Sequence, residues 1–137
     1  MKLFNLFLSA AAGILVSASS ANAHHSFAAE FDREQPVEFS GVVTKVEWTN
    51  PHGRFYVDAT DPDVPGDEVF HWNIELVSAN VLMRQGWKRD SLKEGDHVTV
   101  SATRARKNPH VVNASSVIDA SGKRLFSRNP DTASDTQ

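Results

Sequence analysis

The 137-residue sequence predicts an all-β domain with one short helix, arranged as a five-stranded OB-like barrel. Three observations carry that expectation. Apolar and polar residues alternate over five stretches between Val37 and Asp119. One helix-like stretch falls between the third and fourth of them. The first stretch is long and changes parity at a glycine, as a bent, bulged strand does. A small open β-sandwich with a helix plugging one end has the same element order and is the alternative.

The first 23 residues stand apart from that domain. Lys2 brings one positive charge, Leu3 to Val16 is almost wholly apolar, and Ala21-Asn22-Ala23 is the small-x-small site of a cleavable signal peptide. The apolar stretch falls short of the roughly 20 residues that span a bilayer, and no other segment approaches that length. The expected product is a periplasmic or secreted chain that starts at His24 and has no membrane span.

Residues 24–36 have no period and form an N-terminal arm closed by Pro36. Strand one runs over about Val37–Thr49, with Val37 and Phe39 on one parity, Val42, Val46 and Trp48 on the other, and Gly41 at the switch. Asn50-Pro51-His52-Gly53 is a turn. In strand two Phe55, Val57 and Ala59 alternate with Arg54, Tyr56 and Asp58, up to the loop DPDVPGD. Strand three, about Glu68–Leu76, sets Phe70, Trp72, Ile74 and Leu76 against His71, Asn73 and Glu75. Ser78 is the N-cap of a helix that Gly86 ends. Strand four carries Val98, Val100 and Ala102 and leads into a basic loop, RARKNPH. Strand five covers about Val111–Asp119, and a turn with a short apolar tail at Leu125-Phe126 closes the 37–126 barrel domain. Residues 127–137 are polar and form a disordered tail.

The 14 Lys and Arg residues stand against 17 Asp and Glu, and loss of Lys2 with the signal moves the net charge from −3 to −4. Net acidity and export argue against a nucleic-acid partner, because phosphate neutralisation supplies most non-specific binding. There is no cysteine, so thiol catalysis and thiolate metal sites are excluded and a packed core must replace disulfides. Any metal would need nitrogen and oxygen ligands.

Cleavage after Ala23 leaves His24-His25-Ser26 at the new N-terminus. An N-terminal histidine chelates one ion through its α-amine and its Nδ1, and the amine, which ordinarily titrates at about pH 8, yields its proton to a cation at neutral pH. Copper(II) heads the divalent affinity order and accepts square-planar nitrogen sets. His52 and His110 lie in Asn-Pro-His turns on the two loops that flank the binding face of an OB barrel, so the candidate metal ligands are His24, His25, His52 and His110. The plainer alternative is a tolerated processing site and two exposed turn histidines.

Other candidates carry less. His71 and His97 fall on the polar parity of their strands, as surface residues do. Glu30, Asp32 and Glu34 alternate in a solvated arm. Asp61 and Asp63 open a calcium-like loop that Pro62, Val64 and Pro65 break, with Trp72 where the closing Glu belongs. Nucleophile elbows, phosphate loops and HExxH elements are missing. Trp48 and Trp72 sit on the apolar parity, and Trp87 follows the helix at the barrel's end.

AHHSFAAEFD, GVVTKVEWTNPH, HWNIEL, RQGWKRDSLKEGDHVTV and SGKRLF resemble an uncharacterised family of small secreted Gram-negative bacterial proteins, over about residues 23–126. The resemblance implies a histidine pair directly after the signal and an Asn-Pro-His turn, here His24, His25 and His52. Ser78-Ala79 departs from the family's usual Ser-Pro, and RARKNPH from its glycine-rich loop, which weakens His110 against His52. It implies no activity.

Two functions remain in view. One is an exported binding protein that holds copper or another transition metal through His24 with His52, as a carrier, buffer or sensor and not as an enzyme. The other is a metal-independent OB-type envelope module that binds an oligosaccharide, peptide or partner protein with Arg54, Tyr56, His71, Asn73 and Glu75. A copper-dependent oxidase ranks below both, for want of a visible substrate surface.

Overall fold

The computed structural model describes residues 27–128, of which 27–30 close one helical turn. From Phe31 onward the chain forms its own compact unit. Its elements are β1 (Phe31–Glu47), β2 (Arg54–Thr60), β3 (Val69–Glu75), α1 (Ala79–Arg84), β4 (His97–Ala105), β5 (Val111–Asp119) and β6 (Arg124–Ser127).

The alternation in the sequence sets the sheet. β1 pairs with β2 and with β4, β2 with β3, and β4 with β5, all antiparallel, while β3 pairs with β5 in parallel through Asn73↔Val111, Ile74↔Val112 and Glu75↔Asn113. Five strands therefore close into a ring, which is the OB arrangement, and the open sandwich is set aside. β6 adds a short edge beyond β5.

Inward residues fill the ring. Phe55 and Val57 from β2, Trp72 and Ile74 from β3, Val100 from β4, and Val112, Ala114 and Val117 from β5 are all 0% exposed. Phe39 stacks on Trp72 with centroids 3.9 Å apart, and the Trp72 indole N–H donates to the Ala59 carbonyl at 3.2 Å, so the largest buried ring leaves no polar atom unpaired. The helix plugs one end: Ser78 Oγ accepts from the Val81 N–H, Leu82 is buried, and Gly86 at φ +90° ends the helix. Trp87 lies beside it, edge-on to Trp48 and Phe126, and donates its indole N–H to the Leu125 carbonyl at 2.6 Å.

The structure differs from the sequence expectation in four places. β1 begins at Phe31 rather than Val37, because Phe31 is 2% exposed and pairs with Ala105. Pro36 is tolerated within it because, among the described residues, β2 joins β1 only from Val42, so no strand pairing on the side away from β4 calls at Pro36 on the N–H that proline lacks. The parity switch lies between Val43 and Lys45, not at Gly41. Gly41 is needed for a different reason: β1 passes there from β4 to β2, and a Cβ would meet the Asp58 carbonyl and come within 2.7 Å of the Ala59 Cβ. β4 continues through Ala105, so Arg104 is a strand residue and not part of a loop. Ser127 lies in β6 opposite Ser116, and the Arg128 N–H donates to the Ser115 carbonyl, so the tail begins later than residue 127.

Candidate functional site

Two polar clusters, each holding one histidine against one buried carboxylate, stand out on this frame. The first lies at the end of β3. Glu75 is on the outward parity yet only 5% exposed, because neighbours cover it. Arg54, its cross-strand partner, donates Nη2 to Glu75 Oε2 at 2.6 Å and Nη1 to Asn73 Oδ1 at 3.1 Å. Asn113, its partner in β5, donates Nδ2 to Glu75 Oε1 at 3.1 Å. His52, on the β1–β2 loop after the cis Asn50–Pro51 bond, brings Nδ1 to 3.7 Å from Oε1, with its side chain 51% exposed. The carboxylate is fixed by its neighbours, and the imidazole in front of it is open to solvent.

The same outward surface continues along β2 and β3. Tyr56 and His71 stack with centroids 5.4 Å apart, His71 Nδ1 lies 2.6 Å from Asp58 Oδ1, and the Tyr56 hydroxyl donates to Glu47, which pairs with Lys45. Lys45 and Tyr56 hold the Glu47 carboxyl below the ordinary carboxylate value, Lys45 most of all, against a smaller opposing effect of burial. Planar polar groups and aromatic rings therefore lie side by side on the face that OB barrels commonly use for ligands.

The second cluster closes the barrel's interior. Arg104, on the inward parity of β4, lies 5.2 Å over the Trp72 ring and forms a bidentate pair with Asp61, at 3.0 and 2.7 Å. It also donates to Asp63 and to the Pro109 carbonyl, tying the β2–β3 loop to the β4–β5 loop. His110 places Nε2 3.0 Å from Asp61 Oδ2 and stacks on Phe70 at 4.2 Å. Burial pushes the Asp61 carboxyl up, but Arg104, the Asp63 N–H and His110 outweigh it and hold the group below its ordinary value. Every part of this cluster has a partner inside the protein.

The predicted ligands are thus divided. His24 and His25 lie outside the described residues. His52 and His110 face different carboxylates, Glu75 and Asp61. Among the described residues no three His, Asp or Glu side chains are grouped to hold a metal ion. Asp61 and Asp63, compared above with a calcium loop, serve Arg104 instead. His71 is the hydrogen-bonded surface residue its parity suggests, and His97 is exposed. Sequence reasoning missed Arg104 and Arg128, the first by ending strand four early and the second by assigning it to the tail. Extending the alternation Val98, Val100, Ala102 by one step finds Arg104.

No helix among the described residues is long and apolar enough to cross a membrane. No curated protein matches the sequence. Among solved structures, the mitochondrial single-stranded DNA-binding protein Rim1 of S. cerevisiae is similar in one crystal form at 12% identity, over 66% of this chain and 94% of that one, with a TM-score of 0.46. A second crystal form gives 11% identity, 66% and 93% coverage and a TM-score of 0.45. The expectation of no nucleic-acid partner is corrected by this finding. It rested on net acidity and export, whereas OB surfaces that bind single strands rely on local stacking and a local basic groove, which the whole-chain charge does not measure. The family whose sequence profile matches residues 11–113 is DUF6152, a family of unknown function, and the chain belongs to it.

Proposed function

We propose that this protein is an exported OB-type binding module that takes an oligosaccharide of the cell envelope on the outer face of β2 and β3. The observation that carries this reading is the Arg54 fork, held at 3.1 Å on Asn73 and 2.6 Å on Glu75 beside the stacked Tyr56–His71 pair. Fixed planar donors and acceptors recognise hydroxyl groups without first paying an ordering cost, and aromatic rings pack on the C–H faces of sugars. Export follows from the signal-like first 23 residues. A chemical-shift titration with envelope glycans tests the reading: saturable shifts at Arg54, Tyr56 and Asn73, reduced by Tyr56→Ala, support it. Shifts only with peptides, or with no ligand, contradict it.

A second reading, a transition-metal carrier with copper first, is favoured by His52. A half-exposed imidazole with one nitrogen turned toward a fixed carboxylate is the arrangement that orients metal-bound histidines. His24 would contribute its α-amine and imidazole, and His25 a further imidazole. His110 is left out because its Nε2 lies on Asp61 and its ring is packed on Phe70. Titration of the processed chain with Cu(II) should give one tight site with nitrogen hyperfine structure in electron paramagnetic resonance. That site should be lost when an alanine is inserted before His24, and equal binding with the insertion contradicts the reading. His52→Ala then shows whether the loop adds a donor.

A further inference from the structure

We propose that the ligand is an N-acetylated oligosaccharide, and that one acetyl group seats on the open edge of β3, with its methyl on Val69 and its carbonyl on the His71 N–H. This rests on the oligosaccharide reading above and adds the ligand's substituent. The edge follows from register. β3 pairs with β2 along its whole length, whereas β5 lies beside it only from Asn73. The Asn73 N–H donates to the His110 carbonyl at 2.9 Å, on the side away from β2. Backbone groups two residues apart in a strand point the same way, so Val69 and His71 also turn their N–H and C=O groups away from β2. Among the described residues no strand stands opposite them.

The side chains at this edge are open too. Val69 is 62% exposed and the His71 side chain 59%, and both lie on the outward parity of β3. Tyr56, on β2, stands between Lys45 of β1, whose Nζ is 5.5 Å from its ring centre, and His71 of β3, whose ring stacks on it at 5.4 Å. The ring left free for a sugar is therefore that of His71, which Tyr56 and Asp58 position. Its Nδ1 is taken by Asp58 at 2.6 Å, which leaves Nε2 for a hydroxyl group. An acetyl group sets a carbonyl acceptor beside a methyl, and this edge sets an N–H donor beside an exposed apolar side chain. A plain hydroxyl on the same sugar carbon can take the hydrogen bond but has nothing for Val69. The open stretch carries only two such residues, which suits one acetyl group better than an added strand, whose affinity comes from a row of main-chain bonds. Asn73 and Arg54 continue the same face and serve the next sugar unit.

The test titrates the full chain, by calorimetry and amide chemical shifts, with chitotetraose and with cellotetraose, which has the same linkage and length but a hydroxyl in place of each acetamido group. Chitotetraose should bind about tenfold more tightly, the size of one buried methyl and one neutral hydrogen bond together. It should also move the His71 amide proton downfield and give a nuclear Overhauser contact between its acetyl methyl and Val69. Val69→Ser should cut the preference to about threefold, the share of the hydrogen bond, and leave the cellotetraose affinity unchanged. Equal affinity for the two sugars, or a tenfold preference that survives Val69→Ser in a folded variant, overturns the acetyl site and leaves the oligosaccharide face standing. Binding of neither sugar removes both. A tetra-alanine peptide, acetylated and amidated, is the third titrant: if it binds as tightly as chitotetraose, the edge takes a strand and the sugar is overturned.

Discussion

The two polar clusters contain the same kinds of group and differ in closure. At Asp61 a buried carboxylate meets Arg104, His110 and a backbone N–H, and the histidine ring lies against Phe70 with its side chain 22% exposed. At Glu75 a carboxylate just as buried meets Arg54 and Asn113, but its histidine is 51% exposed at 3.7 Å. The difference teaches that a buried ion pair marks a lock when every partner is internal. When one partner faces water, as His52 does, the pair leaves a polar surface that the proposed ligand can reach.

Breaking the lock should cost most. Asp61→Ala leaves the Arg104 guanidinium buried without its carboxylate, and urea unfolding should show a loss of about 3–5 kcal/mol. A loss below about 1 kcal/mol would mean that water or Asp63 replaces the missing partner and that the cluster is no lock. Gly41→Ala comes next, since the new methyl meets the Asp58 carbonyl where β1 changes partners, and overpacking of this kind costs about 1–3 kcal/mol.

The histidines give the sharper contrast. His110→Ala removes the Phe70 stack and one Asp61 hydrogen bond and should cost about 1–2 kcal/mol. His52→Ala should stay within about 0.5 kcal/mol of the parent, as partly exposed pairs do. Equal effects at the two positions would erase the distinction between lock and surface. Acid supplies a fourth test. The Asp61 carboxyl is held below its ordinary value in the folded chain, so its contribution is complete above the unfolded value of about 3.9 and is lost as pH falls through the lower folded value. In guanidinium titrations the acid loss should be smaller in Asp61→Asn than in the parent, and the same loss in both would locate the sensitive carboxyl elsewhere.

Much of the barrel is legible in the sequence because strand period is local. Phe55-Val57-Ala59 and Phe70-Trp72-Ile74 declare their inward faces, and Ser78 with Gly86 brackets the helix. The outward set Arg54, Tyr56, His71, Asn73 and Glu75 follows from the same parity. What the sequence hides depends on partners distant along the chain. Phe31 becomes strand only because Ala105 lies opposite, and the bulge falls after Val43 because β2 joins β1 there. Arg104 looks like a loop cation until Asp61, 43 residues away, is seen beneath it. Asn113 joins the Glu75 cluster only through ring closure, which brings β5 beside β3. The His52–His110 convergence fails for a related reason: loop positions say which rim a residue is near, while parity says whether it points inward, and His110 points in.

The most direct measurement is an amide chemical-shift map of the full chain titrated with an envelope oligosaccharide. The account predicts saturable shifts at His52, Arg54, Tyr56, Asn73, Glu75 and Asn113, with Asp61, Arg104 and His110 unmoved. Shifts concentrated at Asp61, Arg104 and His110 would contradict it, because the group assigned here as the lock would then be the site.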